Sequence, residues 1–248
     1  MSQSTQKATL YRMSTPDHQC PFGLKTRHLL KANGYDVDDN LLESREETDK
    51  FKKKHDVDTT PQVFIGDKRI GGYEEVRAFL GKPLPDPDAT SYRPVIALFI
   101  MTALLSVATS WLSFGRAFTV QTIEWFISFS MVVLALLKLQ DVEKFSTMFL
   151  NYDLLAKKWV PYGRIYPYAE GLAGLLMAAE FAHVISIPIA LFIGIVGSVS
   201  VFKAVYVDKR ELKCACVGGS SNVPLGFISL TENLMMVAMA VWMFFTMN

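Results

Sequence analysis

The spacing of apolar residues changes character once along the chain. Before residue 82, short apolar runs alternate with polar stretches, the pattern of half-buried strands and amphipathic helices. A β-prone segment at 7–12 leads into the Ser14-Thr15-Pro16-Asp17 turn, and a helix is expected from Cys20 to Ala32, closing at Asn33-Gly34. A second strand is expected at 35–39, and a polar, amphipathic surface helix at 44–55 with Phe51 among its few apolar residues. Segments 62–65 and 69–70 flank Gly66-Asp67, a hairpin signal, and 74–80 reads as a last helix. The expected order is βαβαββα.

Beyond a stretch holding Pro83, Pro85, Pro87 and Pro94, the pattern becomes a series of apolar runs near the ~20 residues needed to cross a bilayer. Five spans are expected, at 94–115, 119–138, 165–183, 185–205 and 225–247. The division is therefore a soluble α/β unit at 1–81, a Pro-rich linker at 82–93, and an all-α polytopic membrane bundle at 94–248.

Charge follows the same division. Roughly a third of the residues up to Thr90 are charged, against about an eighth after it. The formal net charge of +1 excludes the basic excess of a general nucleic-acid binder. Five spans put the N-terminal unit and the loops at 141–164 and 208–224 on one side of the membrane. That side collects most of the Lys and Arg, while Arg116 lies opposite, so it is expected to be cytoplasmic. The polar first eight residues lack the apolar core of a signal peptide, which leads to the same expectation. The inner (plasma) membrane is the expected location.

Three cysteines, Cys20, Cys214 and Cys216, are too few and too uneven for a secreted disulfide framework. Cys20 stands where a helix begins. Free N–H groups and the helix dipole there favour a thiolate, and Pro21 suits the first turn because its missing N–H is not needed. Cys214-Ala215-Cys216 is a close pair whose disulfide ring would be small and strained, hence labile and suited to exchange. Arg210 and Lys213 nearby would favour thiolates. Two cysteines supply half of a tetrahedral metal site and the loop holds no His, so redox chemistry is favoured and no metal is expected. Charges inside spans are functional candidates: Glu170 is expected to be a buried polar anchor or proton carrier, and Lys138 to snorkel to the interface. The Met- and aromatic-rich last span is expected to be lipid-facing packing.

Cys20-Pro21-Phe22-Gly23 opening a helix, then Thr59-Thr60-Pro61, then Gly71-Gly72-Tyr73-Glu74 follow one another in the order and spacing of the glutaredoxins, which segment 11–80 resembles. The resemblance implies a thioredoxin-like fold, catalysis by Cys20, and glutathione as co-substrate. It implies that Thr60, before a cis Pro61, offers backbone hydrogen bonds to glutathione, with Pro21, Phe22, Gly71, Gly72, Tyr73 and Glu74 completing the binding site. Two departures stand out. Gly23 replaces the second thiol, which leaves a monothiol site, and Asp17 stands where many glutaredoxins carry Lys. Iron–sulfur binding, associated with Cys-Gly-Phe-Ser, is disfavoured by Pro21 and Gly23.

A second resemblance, from about Gln121 onward, is to the MauE branch of the DoxX-like membrane proteins, named for methylamine utilisation. It rests on Leu137-Lys138-Leu139-Gln140-Asp141 with Phe145, Tyr166-Pro167-Tyr168-Ala169-Glu170, Cys214-Ala215-Cys216-Val217-Gly218-Gly219, and Asn233 after Glu232. That family has a four-span core, which makes 94–115 an added helix. Membership implies thiol handling, for instance in maturation of methylamine dehydrogenase.

The expected function is a membrane-bound, glutathione-linked thiol–disulfide oxidoreductase in which Cys20 exchanges with Cys214/Cys216. Expected partners are glutathione or protein thiols, the bilayer, and a membrane or periplasmic protein. The alternative is a transporter or assembly factor for glutathione, thiols or metal, with a regulatory glutaredoxin domain.

Overall fold

The computed structural model describes residues 6–84, 86, 89–215 and 223–246. The chain forms two units, Met1–Pro87 and Asp88–Asn248.

The first unit is a sheet between helices. Strand β1 (Lys7–Thr15) is central: it runs parallel to β3 (Asp36–Leu42) and antiparallel to β4 (Gln62–Ile65), which pairs with β5 (Lys68–Gly71). Helix α1 (Pro21–Ala32) makes the crossover between the parallel strands, α2 (Arg45–His55) joins β3 to β4, and α3 (Tyr73–Phe79) closes the unit. Alternation along β1 assigns its faces. Ala8, Leu10 and Arg12 are buried on one face, and Ala8 and Leu10 join Leu30 of α1, Val63 and Val76 of α3 in the core. Tyr11, on the other face, stacks against Phe51 of α2 and meets Phe64 edge-on. α2 starts where Ser44 Oγ accepts the Glu47 N–H at 3.1 Å, while Glu47 reaches back to the Glu43 N–H at 2.8 Å. The order matches the sequence expectation with one addition. β1 continues through the expected turn to Thr15, and a short strand, β2 (His18–Gln19), folds back on it, pairing Ser14 with Gln19. The fold is thioredoxin-like.

The second unit is helical: α4 (Arg93–Phe114), α5 (Val120–Leu139), α6 (Val142–Phe149), α7 (Pro161–Ala178), α8 (His183–Phe202) and α9 (Phe227–Thr246). α8 continues into a π-helical turn at Lys203–Val207. α5 packs on α7, α7 on α8, and α8 on α9, which closes back on α5; α4 lies against α5. Small residues let these helices approach. A Cβ on Gly171 would stand 3.2 Å from Ala135 Cβ, and one on Gly194 would stand 2.8 Å from Val237 Cγ2. Polarity in α4 is inverted relative to a water-soluble helix. Thr102, Ser106 and Ser110 are buried, whereas Ile100, Leu104, Leu105 and Leu112 face outward. The buried hydroxyls join helices, Thr102 to Ser130 of α5 at 3.0 Å and Ser110 to Thr119 at 3.2 Å.

Among the described residues, four helices are long and apolar enough to cross a membrane: α4, α5, α8 with its π-turn, and α9. α7, the remaining expected span, has 18 residues; it buries Pro167 and Glu170 in the bundle and carries an exposed Arg164 that pairs with Glu143 of α6. α6, an amphipathic eight-residue helix in the expected 141–164 loop, has no counterpart in the sequence reading. The last span also differs from expectation. Met236, Met239 and Met243 are buried in the bundle, and Trp242, Phe244 and Phe245 face outward.

Candidate functional site

Cys20 is the N-cap residue of α1. The β1–β2 hairpin delivers it there: the Cys20 N–H donates to Met13 O at 3.1 Å, its carbonyl accepts from the Leu24 N–H, and its sulfur makes no capping bond. Cys20 is a free cysteine, 9% exposed. The other motifs converge beside it. The Phe22 and Tyr73 rings stand 6.0 Å apart, linking the helix start to the Gly71-Gly72-Tyr73 turn. The Thr60–Pro61 peptide bond is cis, and a Cβ on Gly72 would lie 3.3 Å from the Pro61 carbonyl oxygen. Gly71 has φ +124°, open to glycine and strained for other residues. Glu74 is in the first turn of α3.

Lys25, which the sequence reading passed over, sits near this surface. Its ammonium lies 5.6 Å from the Phe22 ring centre and 6.0 Å from that of Tyr73.

Gly23 has a structural reason. A Cβ there would stand 2.7 Å from Arg12 Cβ and 2.8 Å from Arg12 Cδ. Arg12 runs beneath the first turn of α1 and grips Asp39 of β3 through two hydrogen bonds, of 2.8 and 2.9 Å. The space that a second thiol would take is filled.

In the helical unit, Cys214 is fully buried and disulfide-bonded. Cys216 lies outside the described residues. The chain around Cys214 forms a small hairpin: Lys213 bridges Pro224, the Cys214 N–H donates to Val223 O at 2.7 Å, and the Leu225 N–H donates to Leu212 O at 2.7 Å. Cys214 and Val223 pack on Val95 in the first turn of α4, with Phe99, Leu137 and Ile228 around them. Cys214 Sγ is 3.1 Å from Ser229 Oγ in the first turn of α9. Arg210 points elsewhere, donating to the Asn151 carbonyl at 2.6 Å.

Immediately below this hairpin the structure corrects the reading of Lys138. Its side chain turns into the bundle instead of reaching for the interface. The ammonium donates to Glu170 Oε1 and Oε2 at 2.8 and 2.7 Å and to Glu232 Oε1 at 2.6 Å, with all three side chains almost fully buried. It also lies 5.5 Å from the centre of the Tyr166 ring. Asn233 completes the floor, its Nδ2 donating to Ser229 O at 2.7 Å. Tyr152, from the α6–α7 connection, faces the same carboxylates. Burial first, then the charges of Glu232, Asp153 and Glu170, push its hydroxyl well above its usual range. It keeps its proton and is not a proton source. Glu232 was missed in sequence because its partner is 94 positions away.

A free thiol on a thioredoxin-like unit and a buried disulfide within an apolar helical bundle together define a redox-related membrane protein. Comparison with protein families agrees on both halves. The methylamine utilisation protein MauE family matches residues 95–246, and the glutaredoxin family matches residues 8–70. The chain belongs to the MauE family and carries a glutaredoxin domain before it. The MauE match begins in α4, so this helix is within the family's extent, and the reading of 94–115 as an added span is corrected. No curated protein matches the chain.

Proposed function

We propose that the chain is a glutathione-linked thiol–disulfide oxidoreductase of the inner membrane, in which the monothiol Cys20 exchanges with the Cys214/Cys216 pair. The observation that carries this reading is the packing of Cys214 against Val95. The buried disulfide stands at the end of the bundle where α4 begins, and α4 is the helix that follows the linker from the glutaredoxin domain. A thiol domain tethered at that end meets the pair on the same face of the membrane. α7 is the fifth crossing on this reading, and that face is cytoplasmic. The linker makes the encounter intramolecular, with an effective concentration on the order of mM if it can span the gap.

The chemistry is two successive exchanges. The Cys20 thiolate attacks a disulfide, forming a mixed disulfide and expelling one sulfur as a thiolate. With no thiol at Gly23, only an outside thiol can release Cys20, either glutathione or one member of the Cys214/Cys216 pair. Glutathione would lie across Thr60, Pro61, Gly71 and Gly72, between Phe22, Tyr73 and Glu74, with Pro21 below. Lys25 supplies the cation that Asp17 does not. In line with the family's name, the exchange would serve maturation of a partner such as methylamine dehydrogenase.

Trapping tests the exchange. In the full chain with Cys214→Ser, which removes the buried leaving sulfur, mild oxidation is expected to join Cys20 to Cys216, seen as a linked peptide pair under non-reducing conditions. If that pair never forms while Cys20 still takes up glutathione, the exchange is wrong although the glutaredoxin chemistry stands.

A further inference from the structure

Opening a disulfide leaves an electron pair on one of its sulfurs. On Cys214 that pair would appear in a dry cell walled by Val95, Val223, Leu137 and Ile228, where a bare thiolate is costly. A proton must arrive in the same step. The disulfide-bonded sulfur carries no hydrogen, so in the 3.1 Å contact Ser229 Oγ is the donor. Serine alone cannot complete the step, because its alkoxide is a stronger base than the thiolate it relieves. It must be resupplied.

Glu232 stands three residues along α9 from Ser229, on the same helix face, with the Cβ atoms ~5–6 Å apart, within reach of a hydrogen bond directly or through one water. Its carboxylate holds the Lys138 ammonium, which also holds both oxygens of Glu170. One ammonium and two carboxylates carry a net negative charge. Buried among apolar helices, the group becomes neutral by holding one additional proton.

We infer that the Lys138–Glu170–Glu232 cluster is the proton reserve of the membrane domain, delivering through Ser229 to Cys214 Sγ as its disulfide opens. An incoming thiolate bonds to the sulfur joined to Cys214, the old S–S bond breaks, and its electron pair goes to Cys214 Sγ. That sulfur takes the Ser229 proton while Ser229 takes one from Glu232, leaving the cluster one proton poorer. Two exchanges oxidise two donor thiols and reduce the disulfide. On reoxidation the proton returns to the cluster. Ser229 touches the reacting sulfur, while Glu232, Lys138 and Glu170 act through it. The other polar groups facing the cluster are Tyr152 of the α6–α7 connection, Tyr166 of α7 and Asn233 of α9, with Asp153 and Tyr162 beyond Tyr152.

Only the identity of the physiological thiol rests on the proposed function, so the test uses dithiothreitol on the oxidised full chain in detergent, with Cys20→Ser. Infrared difference spectra are expected to show loss of a protonated-carboxyl band on reduction. Ser229→Ala and Glu232→Gln are expected to slow disulfide opening at least tenfold, with recovery in Ser229→Thr and Glu232→Asp. Should Glu232→Gln fail to fold, Glu170→Gln leaves one ammonium paired with one carboxylate, without the extra proton, and is expected to abolish the band and slow opening. An unchanged carboxyl spectrum on reduction, or wild-type opening rates in Ser229→Ala and Glu170→Gln, would overturn the inference whether or not Cys20 ever meets Cys214.

Discussion

Arg12 lies on the face of β1 where alternation calls for an apolar side chain, and its stem fills the space under the first turn of α1. Gly23→Cys, which would restore a two-thiol motif, must push aside the Arg12 side-chain stem, whose Cβ stands at 2.7 Å. The expected cost is about 1–3 kcal/mol, read from denaturant unfolding. Truncating Arg12 to Ala in the same chain is not expected to restore stability, because the nearest atom is the Cβ that Ala keeps. Recovery in that double variant would show that the guanidinium arm, and not the stem, causes the overlap. Such a contact joins a strand to a helix and leaves no local trace in the sequence. The runs Cys20-Pro21-Phe22-Gly23, Thr60-Pro61 and Gly71-Gly72 were legible because each is a contiguous stretch with its own backbone requirement. The Lys138 reading failed for the converse reason. A lysine near the end of an apolar run looks like a snorkelling residue until its partners are known, and those lie on two other helices.

At the scale of elements, hydropathy marked where the long helices run to within a few residues, since burial in lipid demands length and apolar content together. It could not mark α6, whose eight residues are too few and too mixed to stand out within a polar loop. Nor could it say which face of a uniformly apolar helix turns inward, a choice made by small residues. A Cβ on Gly197 would fall on the Asn233 carboxamide, whose Nδ2 is held by the Ser229 carbonyl. Gly197→Ala is therefore expected to displace Asn233 and loosen α8 from α9, lowering stability by about 1–3 kcal/mol in a thermal unfolding measurement in detergent. Gly171→Ala meets a single methyl at 3.2 Å and is expected to cost less. Equal losses for the two would mean that Asn233 is not what the glycine accommodates.

For the whole molecule, the proposed exchange depends on which ends of the helices share a compartment. The proposed five crossings, with α7 among them, would put Cys20, α6 and the Cys214 hairpin on one face, with the α4–α5 turn at Gly115–Phe118 on the other. A membrane-impermeant thiol reagent is expected to label Cys20 and a cysteine introduced at Lys144 only from the cytoplasmic face, and one introduced at Phe118 only from the opposite face, in a chain lacking Cys214 and Cys216. Labelling of the Lys144 and Phe118 probes from the same face would remove a crossing and separate the thiols that the proposed exchange brings together.

The filled alcove at Gly23 has an effect on traffic through such a pathway. A carrier with two thiols can close on itself and drift away spent, its charge lost to no one. If Cys20 carries the proposed exchange, it has no private exit: once loaded, it would stay joined to its passenger until another thiol arrives.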